Sequence, residues 1–196
     1  MSGPVSANTE GRGTARERLL AAADELFYAE GVQSVGIDRI IERAGVAKAS
    51  LYNLFGSKEE LVAAYLTSRH EDTVDRLTAA MAKVGDPREK IMTVFDAQAK
   101  LFRSPDFNGC AFMAASTEAP VGGRVEQVAD DFRGWVRSMF VTLARDAGAK
   151  DPATLGRQLH LLYDGAGLAA RMDHRDRSIA TATRAAAQTL LDSAIV

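Results

Sequence analysis

Apolar side chains recur along this chain at intervals of three and four residues. Between Thr14 and Glu30 they stand at Leu19, Leu20, Ala23, Leu26 and Phe27, the stripe of an amphipathic helix. Thr14 and Glu17 have the spacing of a capping box, in which each side chain satisfies a backbone amide at the helix start. Gly31 is a natural stop. A second box, Ser57 with Glu60, opens a helix that carries Leu61 and Tyr65. Asp86-Pro87 and Asp151-Pro152 each set an N-cap residue before a proline at the first helical position. No stretch sustains the β-branched alternation of a strand. The pattern predicts an all-α protein of about nine or ten helices, over residues 14–30, 37–44, 48–54, 58–84, 87–103, 108–118, 122–147, 152–172 and 176–194. The polar, Gly/Ser-containing residues 1–13 read as a flexible N-terminal arm, and no internal repeat is visible.

Residues 37–58 (IDRIIERAGVAKASLYNLFGSK) carry the most specific pattern. Ile37, Ile40, Ile41 and Ala44 share one face of a short helix, and Gly45 can take the left-handed conformation that ends it. Val46 then points inward. A second short helix follows, with Leu51, Leu54 and Phe55 expected on its buried side. Two short helices joined by a tight turn make a helix-turn-helix. Neither is long enough to be stable alone, so helix 14–30 is needed as a lid. The outer face of the second helix offers Lys48, Ala49, Ser50, Tyr52 and Asn53. From Arg43 to Lys58 there are three cations and no carboxylate. Small and polar side chains at the start of such a helix allow close approach to base edges in a major groove. Lys48, Tyr52 and Lys58 can reach phosphates, and the helix start at Ser57 points backbone donors at an anion. An ordinary solvated helical hairpin would show a similar pattern.

The whole stretch 14–66 resembles the N-terminal domain of the TetR/AcrR family of transcriptional regulators. The likeness lies in the Ala44-Gly45-Val46 turn, in Leu51, Tyr52 and Phe55, and in Ser57, Lys58 and Leu61, at their mutual spacing. It implies a helix-turn-helix DNA-binding domain over 14–57 and an effector-binding and dimerisation domain over 58–196. It further implies a homodimer on a palindromic operator, usually a repressor released by a small molecule. By the same resemblance Lys48 and Ser50 are the candidate base contacts, and Tyr52 and Lys58 the candidate phosphate contacts. Ala49 and Asn53 share the recognition helix. The chain departs from the family at Gly36, where Ser or Thr often caps the helix and touches phosphate. It departs again at Asn53-Leu54, where many members have an aromatic or basic residue followed by His. Arg39 and Arg43 face the duplex backbone, or else pair with Asp38 or Glu42. Arg12 and Thr14 are candidates for phosphate or minor-groove contact from the arm.

Segments 122–147 and 152–172 are apolar on more than one narrow stripe, as expected of helices serving both a core and a partner subunit. The resemblance implies that these two build the homodimer interface. Gly156, Gly165 and Gly167 permit close helix approach there. Phe95, Phe102, Cys110, Met113, Trp135, Met139 and Tyr163 are available to line an apolar cavity for a small apolar or aromatic effector, although each is also an ordinary core residue. Polar groups available to such a cavity are Gln98, Ser116, His160 and Asp164. Residues 107–120 resemble a Gly-Cys-x-aromatic segment of some family members. Cys110 is either an electrophile sensor or a buried, inert thiol.

Composition narrows the remaining classes. The 196 residues carry 24 Lys+Arg and 26 Asp+Glu, a formal charge of −2, so a uniformly basic coat is excluded while a local one is not. A single cysteine excludes an intrachain disulfide framework and a cysteine-built metal cluster. His160, His174, Glu126, Asp130 and Asp131 lack convincing metal-ligand spacing, and neither metal nor cofactor is expected. No apolar run approaches a membrane span and no signal region opens the chain, which predicts a cytoplasmic protein. No phosphate loop or nucleophile frame argues for an enzyme. The leading expectation is a ligand-responsive, sequence-specific DNA-binding repressor. Its rivals are a small-molecule carrier or enzyme on the same fold without DNA binding, and an activator.

Overall fold

The computed structural model describes residues 13–173, 176 and 178–195. Residues 1–12 of the expected arm, Arg12 among them, and His174 lie outside the described residues. The described residues form helices and no strands, as an all-α reading requires. In chain order the helices are α1 (Ala15–Glu30), α2 (Ile37–Ala44), α3 (Lys48–Phe55), α4 (Lys58–Met81), α5 (Pro87–Leu101), α6 (Ala111–Glu118), α7 (Arg124–Asp146), α8 (Pro152–Met172) and α9 (Ser178–Ala194). The chain divides into two compact units after Tyr65, within α4.

Local chemistry fixes most helix ends. At α1 the capping box is complete: the Glu17 amide donates to Thr14 Oγ1 (3.2 Å) and the Thr14 amide to Glu17 Oε2 (2.7 Å). The Asp86 carboxylate accepts from the Arg88 amide at the start of α5, and Asp151 accepts from the Thr154 amide at the start of α8. Helices α4, α5, α6, α7 and α9 are shorter than expected, α4 and α6 by three residues at a single end. α4 stops at Met81, where i→i+3 bonds from Lys83 and Val84 tighten the last turn. α6 begins at Ala111 rather than residue 108, because Gly109 takes φ +90°, outside helical space.

In the first unit α1 packs on α2 and α3. The core is built from Leu19, Ala23, Leu26 and Phe27 of α1, Ile40 of α2, Leu51 and Phe55 of α3, and Leu61 and Tyr65 of α4. Val32 and Val35, from the α1–α2 connection, are buried with them. The Phe27 and Tyr65 rings meet at 5.6 Å, a tilted pair.

In the second unit α7 is central. It packs on α8, α5 and α6, while α9 packs on α8 and α5. Its apolar positions Val125, Val128, Phe132, Val136, Phe140 and Leu143 are all buried within this unit. Gly156 of α8 lies directly on Val141 of α7: a Cβ there would stand 2.5 Å from Val141 Cγ2 and 2.8 Å from its Cα and N. Gly165 and Gly167 make no comparably close approach, so only one of the three glycines seats a neighbouring backbone among the described residues. No described helix is long and apolar enough to cross a membrane.

Candidate nucleic-acid interface

The turn between α2 and α3 is made by glycine. Gly45 has φ 62° and ψ 46°, the left-handed region, and its amide donates to the Glu42 carbonyl while that of Val46 donates to Ile41. The Arg18 guanidinium of α1 also donates from Nε to the Ala44 carbonyl (3.1 Å), which secures the end of α2. Beyond the turn, α3 starts at Lys48 with Ala47 as a cap lacking any side-chain bond; the Ser50 amide donates to the Ala47 carbonyl, and the Lys48 and Ala49 amides are left to an outside acceptor.

Leu51 and Phe55 hold α3 to the core, and the Arg16 guanidinium lies over the Phe55 ring at 5.3 Å. Lys48, Ala49, Tyr52 and Asn53 are exposed, while Ser50 is half-buried. Leu54, expected inside, is 42% exposed. The inward direction of α3 runs between Leu51 and Phe55, and Leu54 lies off to one side. The exposed face therefore gains an apolar group beside Asn53, of the kind that packs on a thymine methyl. The alternation of apolar positions gave no signal for it.

The cations are less free than their spacing suggests. Lys48 Nζ pairs with Asp38 Oδ1 at 2.9 Å, and this partner raises the lysine pKa above its ordinary value. Arg39 makes a two-pronged pair with Glu30 (2.7 and 2.9 Å), and Arg43 one with Glu25 (2.7–3.0 Å). The carboxylates come from α1, not from the near neighbours Asp38 and Glu42. Lys58 is half-buried at the start of α4 and enters no ion pair among the described residues. Beside it Ser57 Oγ accepts from the Glu60 amide at 3.1 Å. Gly36 precedes α2 in extended backbone with no side-chain cap. Thr14 spends its hydroxyl on the capping box.

The residues expected to line an effector cavity separate into groups in the second unit. Phe95 stacks on Phe140 (5.6 Å) and meets Tyr163 edge-on (6.4 Å). Trp135 joins Phe132, Phe112 and His70, whose imidazole lies 5.4 Å from both the Phe132 and Trp135 rings. Phe102 packs instead on Phe107 at 5.2 Å, at the end of α5. Met113 and Met139 are half-buried. Burial pushes the Cys110 thiol pKa up, against the Met113 and Phe112 amides that favour the thiolate. Low thiolate content makes it a poor nucleophile. No group of three or more described His, Cys, Asp or Glu residues is placed to hold a metal ion.

Residues 19–65 match the family model for bacterial regulatory proteins of the tetR family. The fold superposes on the TetR-family transcriptional regulator SCO4454 of Streptomyces coelicolor with a TM-score of 0.86 and 32% identity, covering 92% of this chain and 95% of that one. A putative TetR transcriptional regulator from Streptomyces avermitilis gives 0.84 and 36% identity, over 93% and 98% of the two chains. The transcriptional activator FasR of Mycolicibacterium smegmatis is 35% identical over 48% of this chain and 45% of its own length. With a glycine-turned helix pair, an exposed second helix and likeness over nearly its whole length, the chain belongs to the TetR family of ligand-responsive, DNA-binding transcriptional regulators.

Proposed function

We propose that the chain acts as a homodimeric repressor that leaves a palindromic operator when a small molecule binds its second unit. The observation that carries this reading is the outer face of α3, where Ala49, Tyr52, Asn53 and Leu54 are exposed and no carboxylate lies on the helix itself. Ser50 and Lys48 are the proposed base contacts, and Tyr52 and Lys58 the phosphate contacts. Lys48 must leave Asp38 to serve, a small cost because exposed ion pairs are worth little. Arg39, Thr14 and Gly36 are weaker candidates, the first two because their polar groups are already engaged.

A two-fold dimer is supported by α8. Leu161 and Met172 are 59% and 69% exposed, and with Gly165 and Leu168 they form one stripe at helical spacing. Segment 122–147 was expected to share the interface; α7 buries most of its apolar side chains in its own unit, keeps Trp135 and Met139 half-buried, and shows Gln127, Asp130, Arg137 and Thr142 outward. The proposed seam is centred on α8, with α7 beside it. The effector acts by population shift: it favours a conformation in which the two recognition helices no longer fit successive major grooves. A 100-fold difference in affinity between the two states gives about 2.7 kcal/mol of coupling.

Anisotropy titrations against the DNA upstream of the protein's own gene, and against selected sequences, test this reading. We expect sequence-specific binding that weakens steeply with salt. Absence of binding to any sequence overturns it. The kinship with FasR favours a second reading, activation, and the sign of the transcript change on gene deletion separates the two.

A further inference from the structure

Three side chains in the second unit end in buried polar atoms that meet no protein group. Gln98 of α5, 5% exposed, donates from Nε2 to the Tyr163 carbonyl (2.8 Å) and leaves Oε1 without a partner. His160 of α8 is 1% exposed, and neither ring nitrogen makes a hydrogen bond. Asp164 Oδ2 stands 3.4 Å from His160 Nε2 but outside hydrogen-bond geometry. Arg76 of α4 lies beside the Tyr163 phenol, whose ionised form it favours, yet its Nη1 is buried and unmet. Tyr163 ties the three together: its phenol meets Arg76, its carbonyl holds Gln98, and His160 lies one turn before it on α8. Phe95 and Phe140 close the apolar side, with ring centres 6.4 and 6.0 Å from Tyr163.

A buried polar atom without a partner costs about 1–3 kcal/mol, so four of them on three side chains tied to Tyr163 and its helix ask for an occupant. The chemistry of each atom limits what that occupant is. A guanidinium nitrogen only donates, an amide oxygen only accepts, and a neutral imidazole does one of each. Charge narrows it further. Asp164 is already paired with Arg133 at 3.1 Å, whereas no carboxylate pairs with Arg76 among the described residues. The unbalanced charge is therefore positive, and the walls are aromatic.

We infer that these three side chains form the effector's polar anchor and that the effector is a ring-bearing organic acid with a hydroxyl or N–H donor. Its carboxylate accepts from Arg76 Nη1. Its donor meets Gln98 Oε1, and His160 supplies one further donor and acceptor. The inference rests on the regulator reading above and names the chemical class sensed.

Calorimetry and thermal shift on the full-length protein test it with salicylate, 4-hydroxybenzoate and 6-hydroxy-2-naphthoate. Each acid is set against its methyl ester and the corresponding benzylic-type amine. We expect at least one acid to bind ten-fold or more tightly than its ester and its amine. Arg76→Gln should bring the acid-to-ester ratio near one while ester binding persists, and Arg76→Lys should restore part of it. Gln98→Leu should erase the preference for the hydroxylated acid over its deoxy analogue, a readout that serves even if Arg76→Gln fails to fold. An ester or amine that binds as well as the acid, or no binding by any acid, overturns the inference. Operator binding by the unliganded protein is measured in parallel. If DNA is bound and no acid binds, this inference alone fails. If acids bind selectively and DNA is not bound, the regulator reading fails and the acid site stands as a binding site.

Discussion

Lys48 and Lys58 flank the same short helix, yet the fold treats them differently. Asp38 holds Lys48, while Lys58 enters no ion pair among the described residues. Lys58→Ala should therefore weaken binding to all DNA sequences alike and reduce the slope of log affinity against log salt by about one unit. Asp38→Asn releases Lys48, and its titrations should show tighter binding, most of all at low salt. If Ser50 reads a base, Ser50→Ala changes preference at one operator position, and an equal loss across sequences contradicts that role. The two described histidines whose pKa values burial lowers, His70 and His160, predict a pH dependence. Around His160, Asp164 raises the pKa while Arg133, Arg137 and Arg157 lower it. A native pKa below the unfolded value of about 6.5 means that the unfolded chain binds more protons. Stability is thus fully present above about pH 6.5 and falls as the pH drops below it. Melting curves from pH 8 to 5 should show this decline, and His160→Gln should reduce it, leaving the share due to His70.

Helix ends were legible because their chemistry is local. The Thr14–Glu17 box, the Asp-Pro starts and the Gly45 stop each lie within a few residues of the amides or carbonyls they satisfy. Helix faces were less legible. Leu54 follows the apolar rhythm of α3 yet stays 42% exposed, because α3 turns Leu51 and Phe55 to the core it shares with α1 and α2. Much of the broad apolar surface of α7 faces α5, α6 and α8, while Trp135, Met139 and Val141 stay half-buried. The α7–α8 contact carries its own prediction. Gly156→Ala drives a methyl into Val141 backbone atoms, which cannot turn away as a side-chain end can. Overpacking of this kind costs about 1–3 kcal/mol. For a chain of this length that lowers Tm by several degrees. Val141→Ala in the same chain should recover only part of the loss, since the backbone contacts remain.

For the whole molecule the exposed stripe on α8 carries the strongest consequence. Leu161→Glu with Leu168→Glu should yield a folded monomer by sedimentation, with operator affinity lost because two half-sites can no longer be held together. A dimer that survives both changes would place the seam elsewhere. Charge also looks different at this scale. Residues 43–58 carry three cations and no carboxylate, whereas residues 13–65 carry six Lys+Arg and eight Asp+Glu. Positive potential on the reading face therefore depends on where each cation points and which carboxylate it meets.

The sequence by itself determined the helices, their caps, the glycine turn and the family, because helical hydrogen bonds and caps close within a few residues. Tertiary structure decided which charges cancel and which polar groups are buried. Glu25 reaches Arg43 across 18 positions, and Gln98 reaches Tyr163 across 65. Arg76 reads in the chain as one more charge on a polar helix face. Only the folded chain brings it to Tyr163 of α8 and buries its Nη1, since burial belongs to the assembled core and not to any local run of residues.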